Sequence, residues 1–237
     1  MSPSYGRFRG GVEGPRRRFL AAVMTAALGA LMAMAGPVRA ETAAAGAAPP
    51  IRLAVLGDSL TAGYGLPASA AFPARLQKAL QDKGINVDVL NAGVSGDTSS
   101  GGRDRLDWSI PEGTQAVMVE LGANDALRGI DPAVTRAALD EIITRLKARG
   151  IAVMLCGMYA PRNFGPDYVA RFDPIYPELA KQHDVPLYPF FLDGVAGNAK
   201  LTQPDGMHPT AEGVDVIVER VLPSVQAFLG KVVAPKS

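Results

Sequence analysis

Five short runs between residues 51 and 188 are apolar along most of their length instead of alternating with polar residues: Ile51 to Leu56, Val87 to Ala92, Ala116 to Leu121, Ile151 to Gly157 and Val185 to Tyr188. A strand wetted on one face alternates, so runs of this kind point to strands covered on both faces. Segments of helical period separate them. From Ala71 to Lys83, Phe72, Leu76, Ala79 and Leu80 share one side, and Gly84 follows as a stop. Asp131-Pro132 offers a capping carboxylate and a first-turn proline to a second helix, with Val134, Leu139, Ile142, Ile143 and Leu146 inward until Gly150. A last helix is predicted from Ala211 towards Phe228, capped by Thr210, with Val214, Ile217, Val218, Val221, Leu222 and Val225 inward and Pro223 as the place for a kink. Strands joined through helices pair in parallel by right-handed crossovers. The expectation is an α/β chain: a three-layer α/β/α sandwich around a central five-stranded parallel sheet.

In such a sheet every strand ends on the same edge, and ligands bind in the crevice beyond those carboxyl ends. Gly57-Asp58-Ser59-Leu60 follows the first run, Gly93-Val94-Ser95-Gly96-Asp97-Thr98 the second, and Gly122-Ala123-Asn124-Asp125 the third, while Asp205-Gly206-Met207-His208-Pro209 comes after the fifth. A serine hydroxyl attacks only when an imidazole takes its proton, and that imidazole needs an acceptor on its other nitrogen. Ser59, His208 and Asp205 supply the three parts. Acyl transfer also needs donors aimed at the developing oxyanion. The backbone N–H groups of Ser59 and Gly96 and the side-chain amide of Asn124 are the candidates. Asp58, Asp97 and Asp125 are expected to hold their loops through hydrogen bonds.

The opening forty residues carry six of the arginines and one glutamate around an Ala-rich apolar stretch, Phe19 to Ala35, and end Gly36-Pro37-Val38-Arg39-Ala40. This is the layout of an export signal cut before Glu41, and Arg16-Arg17-Arg18-Phe19-Leu20 is similar to a twin-arginine signal; Sec export fits the same segment. The stretch is short of the roughly 20 strongly apolar residues of a membrane span. Cleavage at residue 40 takes the net charge from +1 to +1 − 6 + 1 = −4, which argues against nucleic acid as a partner. Residues 41–50 then read as a flexible lead-in, 51–230 as one domain and 231–237 as a tail. The single cysteine, Cys156, sits in an apolar run and reads as a buried small hydrophobe. With two histidines and no cysteine pair, no metal site is expected.

The four loop segments resemble the four sequence blocks of the SGNH (GDSL) hydrolases, whose name lists the Ser, Gly, Asn and His these enzymes use; here they fall on Ser59, Gly96, Asn124 and His208. The resemblance covers nearly all of residues 51 to 228. It narrows to the bacterial periplasmic branch called thioesterase I, lysophospholipase or arylesterase, through Gly57-Asp58-Ser59-Leu60-Thr61-Ala62-Gly63-Tyr64, Ser95-Gly96-Asp97-Thr98-Ser99, Glu120-Leu121-Gly122-Ala123-Asn124-Asp125 and Asp184-Val185-Pro186-Leu187-Tyr188-Pro189-Phe190-Phe191. It implies a flavodoxin-like sheet and a cofactor-independent serine esterase acting on short to medium acyl esters and thioesters. It further implies a periplasmic or secreted location, and a monomer is expected. One departure is Ala123, where relatives often carry a second Gly; if that position requires a positive φ, alanine there is strained.

Two other readings stay beside this one: a carbohydrate O-acetylesterase of the same fold, and a non-catalytic periplasmic binding domain. The segment Met158 to Phe172 carries Tyr159, Phe164, Tyr168 and Phe172 among Pro and Gly. Ordinary packing fits it as well as the wall of an apolar acyl pocket, with Tyr159 and Phe164 as the lining. His183 reads as a helix C-terminal residue favoured by the dipole. Gly63-Tyr64-Gly65-Leu66-Pro67-Ala68 mimics a dinucleotide fingerprint but starts too far beyond the strand. With neutral imidazole as the base, activity is expected to fall as pH drops through roughly 6.5, histidine's ordinary value. Full activity well below that pH in an ester-hydrolysis profile would remove His208 as the base.

Overall fold

The computed structural model describes residues 49–233. The export signal, residues 41–48 of the lead-in and the last four residues of the tail lie outside the described residues. In chain order the main elements are β1 (Ile51–Gly57), α1 (Ser59–Ala62), α2 (Phe72–Asp82), β2 (Val87–Gly93), α3 (Ser99–Asp104), α4 (Leu106–Ser109), β3 (Ala116–Glu120), α5 (Ala123–Leu127), α6 (Pro132–Ala148), β4 (Ala152–Cys156), α7 (Pro166–Phe172), α8 (Ile175–His183), β5 (Leu187–Tyr188) and α9 (Ala211–Val233). The five strands form one parallel sheet in the order β2-β1-β3-β4-β5. This is the doubly wound, flavodoxin-like arrangement, whose order reverses between β1 and β3.

Two helical layers cover the sheet: α2 packs on α9, and α6 packs on α3 and α8. The central strands β1 and β3 are buried along almost their whole length, as continuous apolar runs require. At the sheet edge β2 departs from that expectation. Asp88, Leu90 and Asn91 are exposed, because an edge strand is incompletely roofed by the helical layers. The fifth run also contracts to a two-residue strand; Pro186, which has no N–H, contributes only its carbonyl, which accepts from Leu155 N–H at 2.9 Å.

The predicted helices begin where their caps place them. Asp131 accepts from Ala133 N–H and Pro132 takes the first turn of α6, while Thr210 Oγ1 accepts from Gly213 N–H at 3.1 Å at the start of α9. Two expectations need correction. The buried stripe of α6 runs through Thr135, Ala138, Leu139, Ile142, Ile143 and Leu146; Val134 lies off the centre of that stripe and is exposed. The last helix runs to Val233, past both Phe228 and the predicted end of the domain at residue 230, and Pro223 sits within it at an exposed position. No helix among the described residues is long and apolar enough to cross a membrane. Cys156 is fully buried, and desolvation pushes its thiol far above the ordinary range.

Ile142→Ala should cost about 2–5 kcal/mol, the loss usual for a large aliphatic side chain removed from a packed core. Val134→Ala should stay within about 0.5 kcal/mol of wild type. Urea unfolding of the two variants checks the direction of the α6 stripe.

Candidate active site

The site starts at the last residue of β1. Gly57 is buried, and a Cβ there would collide with the side chains of Thr61 and Glu120, so only glycine lets the chain turn into α1 against the end of β3. Asp58, fully buried, caps α1: its Oδ1 accepts from Leu60 N–H at 2.9 Å. Ser59 is thereby set at the first position of α1, half-buried, with a backbone N–H that the helix does not use. The cap is Asp58, so Ser59 is left free of the capping role a serine at a strand–helix junction often takes.

The histidine loop reaches this turn from 149 residues away. His208 Nε2 lies 2.9 Å from Ser59 Oγ, and His208 Nδ1 lies 2.6 Å from Asp205 Oδ2. With Nδ1–H donating to the carboxylate, Nε2 is left to accept from the serine hydroxyl. The other carboxylate oxygen, Asp205 Oδ1, accepts from the N–H groups of Met207 and His208 at 2.9 and 3.0 Å. The His208 bond first, then these two N–H groups, hold the Asp205 carboxyl down at about 2. Gln203 ties the loop in place: its N–H donates to His208 O, and its Nε2 donates to Pro209 O and to Tyr64 O. The Tyr64 ring sits 4.5 Å from the imidazole, centroid to centroid. The glycines that mimicked a nucleotide fingerprint here have φ of 82° and 74° and turn the chain from α1 towards this tyrosine.

Asn124 is in the first turn of α5, and its Nδ2 donates to Asp58 Oδ2 at 3.1 Å. One amide hydrogen is used in that bond and the second remains. The strained backbone of this turn is at Gly122, with φ 115°, where a Cβ would strike the Tyr176 hydroxyl. Ala123 has no positive φ and simply starts the helix, which answers the departure from the family pattern. Asp125 is buried and accepts from Ser99 N–H, Ser99 Oγ and Thr135 Oγ1, tying the starts of α3 and α6 to this turn. Gly96, with φ 84°, is exposed on the loop after β2, and its carbonyl accepts from Arg128 at 2.8 Å. That loop is bonded to the serine turn through Val94 N–H to Gly57 O at 3.0 Å. Gly96 itself is not among the residues lining the cleft.

A cleft of about 460 Å³ opens beside Ser59, Asn124 and His208, with Leu60, Leu127, Met158, Tyr159, Phe190, Leu192 and Met207 among its walls. Tyr159 stacks on Phe190 with centroids 4.8 Å apart. Of the two aromatic residues expected here, Tyr159 lines the cleft and Phe164 does not. Phe164 packs towards Tyr168, 5.3 Å between centroids, because the short helical turn from Arg162 carries it away from the opening. Tyr168 and Phe172 belong to the core. His183 ends α8 and pairs with Asp140 at 2.5 Å, apart from the site.

Sequence reasoning missed Phe190, Leu192 and Met207, which nothing marks as pocket residues before the tertiary fold assembles. It also missed Glu120, fully buried beneath the serine turn, whose Oε2 accepts from Thr61 Oγ1 at 2.7 Å and whose Oε1 has no protein partner. Burial, then the nearby Asp58, pushes the Glu120 carboxyl well above the usual range. Burial likewise raises Asp58 to about 6, against the pull of its bonds to Leu60 and Asn124.

A model of the GDSL-like Lipase/Acylhydrolase family matches residues 55–216. The chain belongs to that family. Similar to this member is the esterase TesA of Pseudomonas aeruginosa, 41% identical over 178 residues, covering 75% of this chain and 89% of the relative. The thioesterase 1/protease 1/lysophospholipase L1 of Escherichia coli is 41% identical over 178 residues, covering 75% and 84%. A crystal structure of TesA superposes with a TM-score of 0.71 at 40% identity, covering 75% of this chain and 99% of that one.

The folded chain binds the Asp58 proton more tightly than the unfolded chain, whose carboxyl titrates near 3.8. Through Asp58 alone, stability falls as pH rises from about 4 to about 6, on the order of 2–3 kcal/mol for a shift of this size. Asp58→Asn removes that dependence, so its stability relative to wild type should rise across this window and level off above it. A flat difference in urea midpoints from pH 4 to 7 would show that Asp58 does not titrate there.

Proposed function

We propose that this family member is a periplasmic or secreted serine esterase that cleaves short to medium acyl esters and thioesters through an acyl-enzyme on Ser59. The observation that carries this reading is the chain Ser59 Oγ, His208 Nε2, His208 Nδ1, Asp205 Oδ2, with links of 2.9 and 2.6 Å, opening onto an apolar cleft. Ser59 Oγ bonds to the acyl carbon while His208 Nε2 takes its proton, and the carbonyl π pair moves onto oxygen. The tetrahedral adduct collapses, His208 returns the proton to the leaving alcohol or thiol, and the ester to Ser59 remains. Water, deprotonated by the same nitrogen, then releases the acid and restores the serine. Asp205 stays ionised and holds the imidazole tautomer throughout.

The Ser59 N–H, the Gly96 N–H and the second amide hydrogen of Asn124 are the donors assigned to the oxyanion. Asp58 orients Asn124 and is a positioning residue. The cleft walls favour an aliphatic or aryl acyl group over a sugar, because a carbohydrate O-acetylesterase needs polar partners for hydroxyl groups. The printed names of the relatives, an esterase and a thioesterase/lysophospholipase, support the same substrate class. A monomer suffices, since every assigned group comes from one chain.

Ser59→Ala should abolish hydrolysis of p-nitrophenyl acyl esters and labelling by a fluorophosphonate probe; a labelled, active variant would end the proposal. Asn124→Ala should lower kcat by about 10²- to 10³-fold. Wild type should prefer octanoyl to acetyl esters, and a strict acetyl preference would favour the carbohydrate esterase instead. Tyr159→Ala should raise KM for the octanoyl ester more than for the acetyl ester, while Phe164→Ala leaves both near wild type. Steady-state kinetics on the two esters separates these outcomes.

A further inference from the structure

Arg105 stands where α3 ends and α4 begins, 46 residues after Ser59 and 19 before Asn124, yet its side chain is only 7% exposed. Its guanidinium is almost fully engaged inside the protein. Nε donates to Asp97 Oδ2 at 2.6 Å, Nη1 to Ala92 O at 2.8 Å and to Ser109 Oγ at 3.0 Å, and Nη2 to Gly57 O at 2.9 Å. The acceptors are informative. Gly57 is two residues before Ser59, Asp97 is the residue after Gly96, and Ala92 lies near the carboxyl end of β2. Gly57 O receives both Arg105 and Val94 N–H, so one carbonyl joins the serine turn to the Gly96 loop twice.

We propose that Arg105 is the positioning residue of the oxyanion site, fixing the distance between the Ser59 and Gly96 amides by clamping the ends of β1 and β2 together with the carboxylate beside Gly96. The inference rests on the donor roles proposed above for those two amides. A planar guanidinium imposes fixed angles on its acceptors, which a lysine ammonium cannot do. Oxyanion donors act over a narrow range of roughly 2.7–3.1 Å, and a misplacement of about 1 Å costs on the order of 10²-fold in rate. The remaining bonds of the exposed loop are the Val94 N–H, a turn from Asp97 N–H to Val94 O, the Thr98 cap of α3 and a surface contact from Arg128 to Gly96 O. None of these spans from the Asp97 side of the loop back to β1. Burying the cation is tolerable because Asp97 pairs with it.

The test uses the mature enzyme and p-nitrophenyl octanoate. Arg105→Met should lower kcat by about 30-fold or more with KM within about twofold of wild type, and should weaken the hemiketal adduct of a trifluoromethyl ketone in parallel. Arg105→Lys should not rescue it, whereas ethylguanidinium added to Arg105→Gly should restore part of kcat. Asp97→Asn keeps Arg105 and loosens only the Gly96 side; it should lower kcat by about tenfold, and it carries the test alone if the arginine variants fail to fold. A kcat within about threefold of wild type in folded Arg105→Met or in Asp97→Asn, or a lowered kcat with unchanged adduct affinity, overturns the clamp. Ser59→Ala assayed alongside keeps the two readings apart: if that variant retains activity the site assignment falls, and if it is dead while Asp97→Asn and Arg105→Met are normal, only the clamp falls.

Discussion

The register of β1 between its two neighbours is the constraint from which the site follows. Gly57 pairs opposite Gly93 of β2 and opposite Glu120 of β3. Three strands therefore end in one row, and the turns that leave them, bearing Ser59, Gly96 and Asn124, start level with one another. A slip of one residue would turn each strand's side chains to the opposite face and move its turn by about 3.3 Å along the strand, more than the length of the Asn124–Asp58 hydrogen bond at 3.1 Å. The continuous apolar burial of β1 and β3 holds that register, so core packing and active-site geometry depend on the same pairing.

Beneath this row lies a layer of buried polar groups that serves geometry more than stability. Asp58, Glu120, Asp125 and Arg105 are all buried, and each reaches across between elements: Asp58 to Asn124, Glu120 to Thr61, Asp125 to Ser99 and Thr135, Arg105 to Gly57 and Asp97. Burying such groups is costly unless they are satisfied, and satisfied networks rigidify what they touch. The raised carboxyls of Asp58 and Glu120 are the measure of that cost. Their position directly under the serine turn fits the general exchange in which a site gives up stability for a fixed arrangement. By contrast the histidine loop lies at the surface. Asp205 is held by His208 and two backbone N–H groups, and Gln203 supplies the attachment to the Tyr64 loop.

Much of this was legible before any coordinates. Ser59 and Asn124 are polar residues at turn signals directly after apolar runs, and the rule for parallel sheets brings such turns to one edge whatever the details of packing; Asp205 and His208 lie 17 and 20 residues beyond the last strand and were marked by their own spacing before Pro209. Caps were equally readable: Asp131 with Pro132 and Thr210 act locally, within one turn of their own backbone. Errors arose where burial depends on partners far away in sequence. Val134 kept a hydrophobic identity but fell off the stripe, β2 lost its roof at the sheet edge, and Phe164 was turned away from the cleft by the local helical turn that precedes α7.

Sequence alone determined the candidate inventory and much of its topology: Ser59, Gly96 and Asn124 in turns that follow strands, and Asp205 with His208 in the loop before the last helix, because local periodicity and turn residues decide which elements form and parallel winding decides where the strands end. Only the tertiary structure decided how those groups are held. Arg105 and Glu120 look in the sequence like an ordinary charged residue of a helix junction and an ordinary strand end, and their partners are 48 and 59 residues distant. Phe190 and Met207 become walls of one cleft through the same long-range packing. Contacts of that kind have no local signature, since they are fixed by how the layers close over the sheet.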